Sequence, residues 1–199
     1  QFYPDTAKNV VKVLNAADVD VEYNPEQTCC GKFAFNSGFV DEAKELGEKF
    51  LRDFPNDRPI VGVSASCVGY IKKRYEELFY NTASHLEYKR LVRNIFEFTD
   101  FLVNKINIMN FGAEFNHKVV YQDTCCSLRE LGLKDEGRKL LSNVKGIEIL
   151  EMKYPEVCCG FGGGFFSIQH EAISVAMAER KIKDAMATGA EYIVTNDIS

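Results

Sequence analysis

The triplet Cys-Cys-Gly occurs twice in this chain, at Cys29-Cys30-Gly31 and at Cys158-Cys159-Gly160. Adjacent cysteines make poor disulfide partners for each other, because a bridge between neighbours closes a strained ring. Two adjacent thiolates can instead bind one soft metal centre. The duplication therefore asks for two similarly built halves, each bringing sulfur to a loop.

The repeat extends beyond the triplets. Val19-Asp20-Val21-Glu22-Tyr23 and then Pro25-Glu26 precede the first copy, and Ile147-Glu148-Ile149-Leu150 and then Tyr154-Pro155-Glu156 precede the second. A Gly- and Phe-rich loop follows each, over 31–38 and 160–166, and leads through an amphipathic stretch to an apolar strand. Ile60-Val61-Gly62-Val63 runs into Cys67, while Ile193-Val194-Thr195-Asn196 runs to Ser199. Superposing the two strands lands Ser66 on Ser199, so the repeat expects a cysteine directly after Ser199. The spacing of Cys125 and Cys158, laid onto Cys29, expects another about four residues before Gln1. The expectation is a longer polypeptide whose first strand and last loop each carry one more cysteine.

The periodicities predict α/β architecture. Helices are expected from Asp5 or Thr6 to Ala17, over 41–54, 68–78, 135–141 and 173–188, with a long helix over 91–108 joining the halves. Strands are expected over 20–23, 60–63, 118–121, 147–150 and 191–195. Helices alternating with short apolar strands imply parallel sheets with covering helices, and open sheets of that kind place their sites beyond the carboxyl ends of strands. The predicted organisation is a first half over 1–85, a connecting helical segment over 86–116 and a second half over 117–199. A pseudo-twofold is expected to relate the halves, with the two Cys-Cys-Gly loops converging between them.

With 199 residues, 46% of them hydrophobic, the chain can bury a core without covalent staples. Seven cysteines then read as ligands or reactive thiols in a reducing compartment, and the default placement is cytoplasmic. No run of about 18 apolar residues is present, so no direct membrane insertion is expected. A net charge of −5 argues against a nucleic-acid surface. Lys72-Lys73-Arg74 and Lys181-Ile182-Lys183 read as solvated helix faces. The run Gly160-Phe161-Gly162-Gly163-Gly164 fails the dinucleotide fingerprint, because Phe165 stands where the third glycine belongs, and no Walker lysine follows.

Thr28-Cys29-Cys30-Gly31-Lys32-Phe33, Asp123-Thr124-Cys125, Arg129-Glu130-Leu131-Gly132, Cys158-Cys159-Gly160-Phe161-Gly162-Gly163 and Met177-Ala178-Glu179-Arg180-Lys181 together resemble the cysteine-rich domain family with duplicated CCG motifs. The likeness covers essentially the whole chain and is greatest to the small iron-sulfur subunits of bacterial L-lactate oxidation systems. Iron-sulfur subunits of glycolate oxidase and the B subunit of heterodisulfide reductase are relatives.

The resemblance implies an iron-sulfur cofactor of [4Fe-4S] type in each half. Carried over by position, Cys29, Cys30 and Cys67 serve the first site, and Cys125, Cys158 and Cys159 the second. Each set is one ligand short, so the chain by itself is expected not to retain a cluster. Two departures stand out. Cys67 lacks the second cysteine of a CxxC seen in some relatives, and Cys126 stands where histidine is frequent. That leaves open whether Cys126 replaces Cys125 as ligand or is a spectator. Implied partners are other subunits of a lactate oxidation complex, among them a ferredoxin-like iron-sulfur subunit.

Arg129, one turn beyond Cys125, either offsets the negative charge of a thiolate-bound cluster or forms an ordinary surface ion pair. His85, His117 and His170 are scattered and read as packing or surface residues. Phe33, Phe35, Phe161, Phe165 and Phe166 are expected to wall the sites off from solvent. No hydrolytic triad, paired carboxylates or flavin motif stands out, so removal of hydride or proton from a substrate is expected to fall to another subunit. Three functions compete: an electron-transfer subunit of lactate oxidation, a thiol/disulfide reductase of heterodisulfide type with a catalytic cluster, and a structural zinc protein. The last is disfavoured because zinc sites rarely use vicinal pairs.

Overall fold

Short apolar runs too brief to stand alone are stabilised here by parallel pairing. The structure, a computed structural model, describes residues 3–55 and 58–198. Ser199, where the repeat places the counterpart of Ser66, lies outside the described residues.

The first part runs α1 (Pro4–Ala16), α2 (Lys32–Asn36), α3 (Val40–Asp53), β1 (Ile60–Gly62), α4 (Ala65–Phe79), α5 (His85–Leu91), β2 (Ile95–Glu97) and α6 (Phe98–Asp100), which continues as a π-helix, π1 (Phe101–Lys105). The second runs β3 (Lys118–Tyr121), a π-helix π2 (Cys126–Leu131), α7 (Glu136–Leu141), β4 (Glu148–Leu150), α8 (Gly163–Gln169), α9 (Glu171–Met186) and β5 (Tyr192–Val194). The chain is α/β, with short parallel sheets flanked by helices. β1 pairs with β2, Ile60 opposite Ile95. β3 lies between β4 and β5, with Val119 opposite Ile149 and Val120 opposite Ile193. Val119 and Val120 are fully buried, as a central parallel strand covered on both faces requires.

Three expectations are corrected. No strand forms over 20–23; Val19 and Val21 pack instead on Leu14, Phe101 and Leu102, so hydrophobic cover is satisfied without pairing. The single helix over 91–108 is broken. Ile95-Phe96-Glu97 pairs with β1, and the Glu97 carboxylate then accepts from the Thr99 and Asp100 N–H groups, starting a new helix. A β-branched and aromatic run beside an unpaired strand gains more from the ladder than from helix continuation. The two Gly- and Phe-rich segments are not open loops, because each contains a short helix, α2 or α8.

Several contacts join the parts, among them two between helices near the cysteine motifs. Helix α4 packs along π2, and Gly69 makes the approach possible: a Cβ there would lie 2.2 Å from Glu130 Oε2. Helices α2 and α8 pack together, with Gly164 set so closely on Phe33 that a Cβ would lie 2.8 Å from its ring. The two segments that follow the Cys-Cys-Gly triplets therefore meet. Tyr70, Tyr75 and Phe79 of α4 and Tyr88 of α5 form a buried aromatic chain, with edge contacts of 5.4 Å from Tyr75 to Tyr70 and to Phe79. Among the described residues no helix is long and apolar enough to cross a membrane.

Two tests follow from this packing. A Cβ on Gly137 would fall 2.3 Å from the Tyr121 ring, which is buried and covered by the Arg138 guanidinium at 5.0 Å. Gly137→Ala therefore loses about 1–3 kcal/mol through overpacking, more than its helix propensity returns, and urea unfolding measures the difference. Burial raises the Glu97 carboxyl from 4.5 to about 7, against the opposing bonds from Thr99 and Asp100. A raised acid binds its proton more tightly in the folded state, so its stabilising contribution is lost as pH rises from about 4.5 through about 7. Glu97→Gln is expected to flatten that decline in chemical unfolding followed across the same window.

Candidate metal centre

The first triplet is fixed from below by the aromatic core. Tyr75, fully buried, donates its hydroxyl to the Cys30 carbonyl at 2.9 Å. Gly31 turns the chain at φ +89°, with its missing Cβ 3.1 Å from the Ala43 carbonyl, so this position is reserved for glycine. Cys67 arrives separately, in the first turn of α4.

Those two placements put the Cys30 thiol between Cys29 and Cys67. The Cys30 thiol lowers Cys29 to about 6, against burial and with help from the Gly31 and Cys30 N–H groups. Cys30 itself is pushed well up, because its thiol serves both neighbours and because it is buried. The same contact lowers Cys67, against burial, with the Ser64 hydroxyl assisting. Near neutral pH Cys29 is thus mainly thiolate and Cys30 holds its proton.

The second set is built at the carboxyl end of β3. Cys125 is exposed and Cys126 buried. Lys32, from the first triplet's loop, reaches across to place Nζ 3.2 Å from Cys126 Sγ and 3.3 Å from the Ser66 carbonyl. The Cys126 thiol lowers Cys125 to about 6; burial opposes, while the Lys32 and Arg129 charges add to the lowering. Cys126 is pushed far up by donating to Cys125 and by burial.

The loop before Cys125 is clamped by Arg138, which grips the buried Asp123 carboxylate with bonds of 2.7 and 2.9 Å and also binds Glu151. Asn196, after β5, accepts from Thr124 Oγ1 and donates to Ser127 Oγ at 2.8 Å.

The second triplet repeats the geometry of the first. Gly160 also has φ +89°, and a Cβ there would lie 2.5 Å from the Ser174 carbonyl. Its N–H donates to Cys158 Sγ at 3.4 Å, and Ser174 Oγ donates to its carbonyl at 2.8 Å. Just upstream, buried Lys181 donates to the Tyr154 and Pro155 carbonyls at 3.1 and 2.6 Å. Cys158 and Arg129 line one shallow cleft together with residues 153–157.

The structure therefore gathers Cys29, Cys30 and Cys67. It pairs Cys125 with Cys126 and sets Arg129 near both Cys125 and Cys158. Cys159 stays beside Cys158 as the chain dictates, half-buried. Among the described residues no three His, Cys, Asp or Glu side chains converge closely enough to hold a single metal ion.

Some readings change. Lys181 is buried and holds a loop, so it is not a solvated face, whereas Lys73 and Arg74 are exposed. Lys72 lies 5.5 Å from the Phe96 ring centroid. Phe33, Phe161 and Phe165 do not wall off the cysteines; they remain 57%, 42% and 43% exposed, and Phe33 packs on Gly164 of α8 instead. The three histidines are engaged elsewhere: His85 against Tyr80, His117 with Glu191 and His170 against Phe166.

Lys32, Tyr70, Asp123, Arg138, Lys181 and Asn196 were not singled out as site residues by sequence. Only Asp123 and Lys32, adjoining the cysteine motifs, carried a usable signal.

The profile of the cysteine-rich domain family (CCG) matches residues 1–72 and 119–199. The chain belongs to the cysteine-rich domain family. It is 36% identical over 198 residues to lactate utilization protein A 2 of Bacillus cereus (strain Q1), covering 99% of this chain and 81% of that protein. Lactate utilization protein A of Oceanobacillus iheyensis is 37% identical over 197 residues, covering 98% and 80%. Lactate utilization protein A 1 of Bacillus anthracis (strain CDC 684 / NRRL 3495) is 35% identical over 198 residues, covering 99% and 81%.

The donors of this cysteine-rich domain fit a thiolate-bound polynuclear group better than a single ion. Their sulfurs string out instead of converging, and backbone N–H groups point at Cys29 and Cys158. Beside the first set, the buried Tyr70 hydroxyl has no hydrogen-bond partner among the described residues, and Cys30 and Cys29 add to the burial that raises its pKa. An orphaned donor facing sulfur is what a sulfide-bearing group would satisfy.

The Asp123 clamp is testable without any cofactor. Arg138→Met leaves a carboxylate of 1% side-chain exposure unpaired and is expected to lower unfolding stability by about 3 kcal/mol in urea.

Proposed function

We propose that this chain is the iron-sulfur electron-transfer subunit of an L-lactate, or 2-hydroxyacid, oxidation complex. One observation supports the reading most: two glycine-turned thiol loops, each with a backbone N–H directed at its first cysteine, are carried on helices that pack against each other. Similarity over nearly the whole chain to proteins named for lactate utilization supports lactate as the substrate.

In this reading Cys29, Cys30 and Cys67 hold one group, and Cys125, Cys158 and Cys159 the other. Cys126 stays protonated as donor to Cys125. When bound, an iron-sulfur group of [4Fe-4S] type supplies one-electron storage and release at a potential tuned by charge and N–H donors. The chain's own residues do the rest. Gly31 and Gly160 bring backbone close to sulfur. Tyr70 offers a buried donor to the first site. Lys32 places a positive charge between the two sites and limits the build-up of thiolate charge at their seam. In this reading removal of the substrate's hydrogen falls to another subunit of the complex, with a ferredoxin-like iron-sulfur subunit as electron relay.

Anaerobic purification of the natural gene product, with iron and sulfide analysis and electron paramagnetic resonance, tests the assignment. Cys29→Ser and Cys158→Ser are each expected to lose the iron of one site while keeping native helical circular dichroism, because the ligands lie on loops outside the large apolar core. Full iron and sulfide content in both variants would refute the ligand assignment. Oxidation of the chemically reduced group by a heterodisulfide, which is cleaved to its two thiols, without reduction of the oxidised group by lactate and partner subunits, would move the function to the heterodisulfide class.

A further inference from the structure

The shallow cleft beside Cys158 carries a charge opposite to that of the chain, whose net charge is −5. Arg129 and Lys153 line it with Tyr154 and Cys158. Lys153 Nζ lies 5.2 Å from the centroid of the exposed Tyr154 ring, and the Arg180 guanidinium carbon lies 5.6 Å from the same ring. All three cations are exposed, and none forms an ion pair among the described residues.

The acids nearby are already engaged. Glu156 binds Lys134 at 2.7 Å, Glu151 and Asp123 bind Arg138, and Glu179 lies 3.5 Å from Lys183. Asp184 accepts the Tyr154 N–H at 2.8 Å. Glu130, next to Arg129, has its carboxylate buried against Gly69. Among the described residues, Lys153 and Arg180 beside the Tyr154 ring and Arg129 in the same cleft thus lack an acidic partner.

The cleft is too shallow to enclose a small molecule, since such sites are concave and bury most of their ligand. Arginine and tyrosine are, however, the side chains that most often anchor protein interfaces. We propose that this face docks an acidic redox protein, whose carboxylate-rich surface meets Arg129, Lys153 and Arg180 around Tyr154 and so approaches Cys158. The inference rests on the electron-transfer reading for its purpose and on charge complementarity for its geometry. Opposite charge steers encounter and orients the partner, with a contact that weakens as salt is added.

The test uses an acidic plant-type ferredoxin as probe and basic cytochrome c as contrast, with binding followed by biolayer interferometry. Ferredoxin is expected to bind, to weaken severalfold as ionic strength rises from about 0.05 M to about 0.2 M, and to bind more tightly than cytochrome c. The triple variant Arg129→Glu, Lys153→Glu, Arg180→Glu is expected to weaken ferredoxin binding by about tenfold or more. A control with the same change in net charge, Lys12→Glu, Lys73→Glu, Lys139→Glu, reverses exposed lysines elsewhere and is expected to weaken it far less.

Absence of ferredoxin binding, binding indifferent to salt, or equal losses in the two triple variants would overturn the docking face. Iron analysis of the same preparations separates the two readings. Natural gene product, purified anaerobically, that lacks iron yet still binds ferredoxin through this face keeps the docking surface and refutes electron transfer. Protein with iron that fails to bind refutes the docking surface alone.

Discussion

Strand ends from both parts of the chain meet at one hydrogen-bonded seam. After β1, Ser64 Oγ donates to Asp197 at 2.7 Å, and the Ala65 N–H donates to the Asn196 carbonyl at 3.3 Å. After β3, Thr124 and Ser127 bond the Asn196 side chain. Asn196 and Asp197 themselves follow β5. Three short parallel strands thus deliver their carboxyl ends to a common buried polar cluster, and Cys67 and Cys125 leave from that cluster. Polar groups buried at 9% exposure or less, such as Ser64 and Asn196, are tolerated only with partners, so the partners determine how the two parts dock.

Close packing then converts this seam into a site. Gly69 lets α4 lie against π2, which sets the turn bearing Cys67 beside the turn bearing Cys126. Gly164 lets α8 reach Phe33, which brings the second triplet's helix onto the first's. Lys32 spans the remaining gap and bonds to both sides of it. Each device works by removing a side chain or adding a charge where two backbones approach. The thiols respond with divergent affinities for protons: Cys29 and Cys125 fall to about 6, while Cys30 and Cys126 rise. A vicinal pair in a confined place shares one proton far more easily than it loses two.

Supports for the second triplet come from side chains remote in sequence. Lys181, on α9, satisfies two carbonyls of the loop before Cys158, and Arg138, on α7, neutralises Asp123 before Cys125. Both are cations drawn inward by acceptors that would otherwise be buried without partners. Helical periodicity places Lys181 among charged neighbours and gives no hint of this, because the acceptors belong to another segment.

The amino-acid sequence by itself determined the α/β class, most strands and helices, and the family. These depend on local periodicity and on residue chemistry that no neighbour can replace. The repeat also showed that the two triplets are built alike, and both glycines do turn at φ +89°. Tertiary structure alone decided that Ile95-Phe96-Glu97 is a strand, since its pairing partner β1 lies far back in the chain. It alone decided that 20–23 needs no ladder, that Phe33, Phe161 and Phe165 stay exposed, and that Lys32 crosses to Cys126. In each case the deciding energy comes from a contact between distant segments, and local sequence carries no record of which distant segment will arrive.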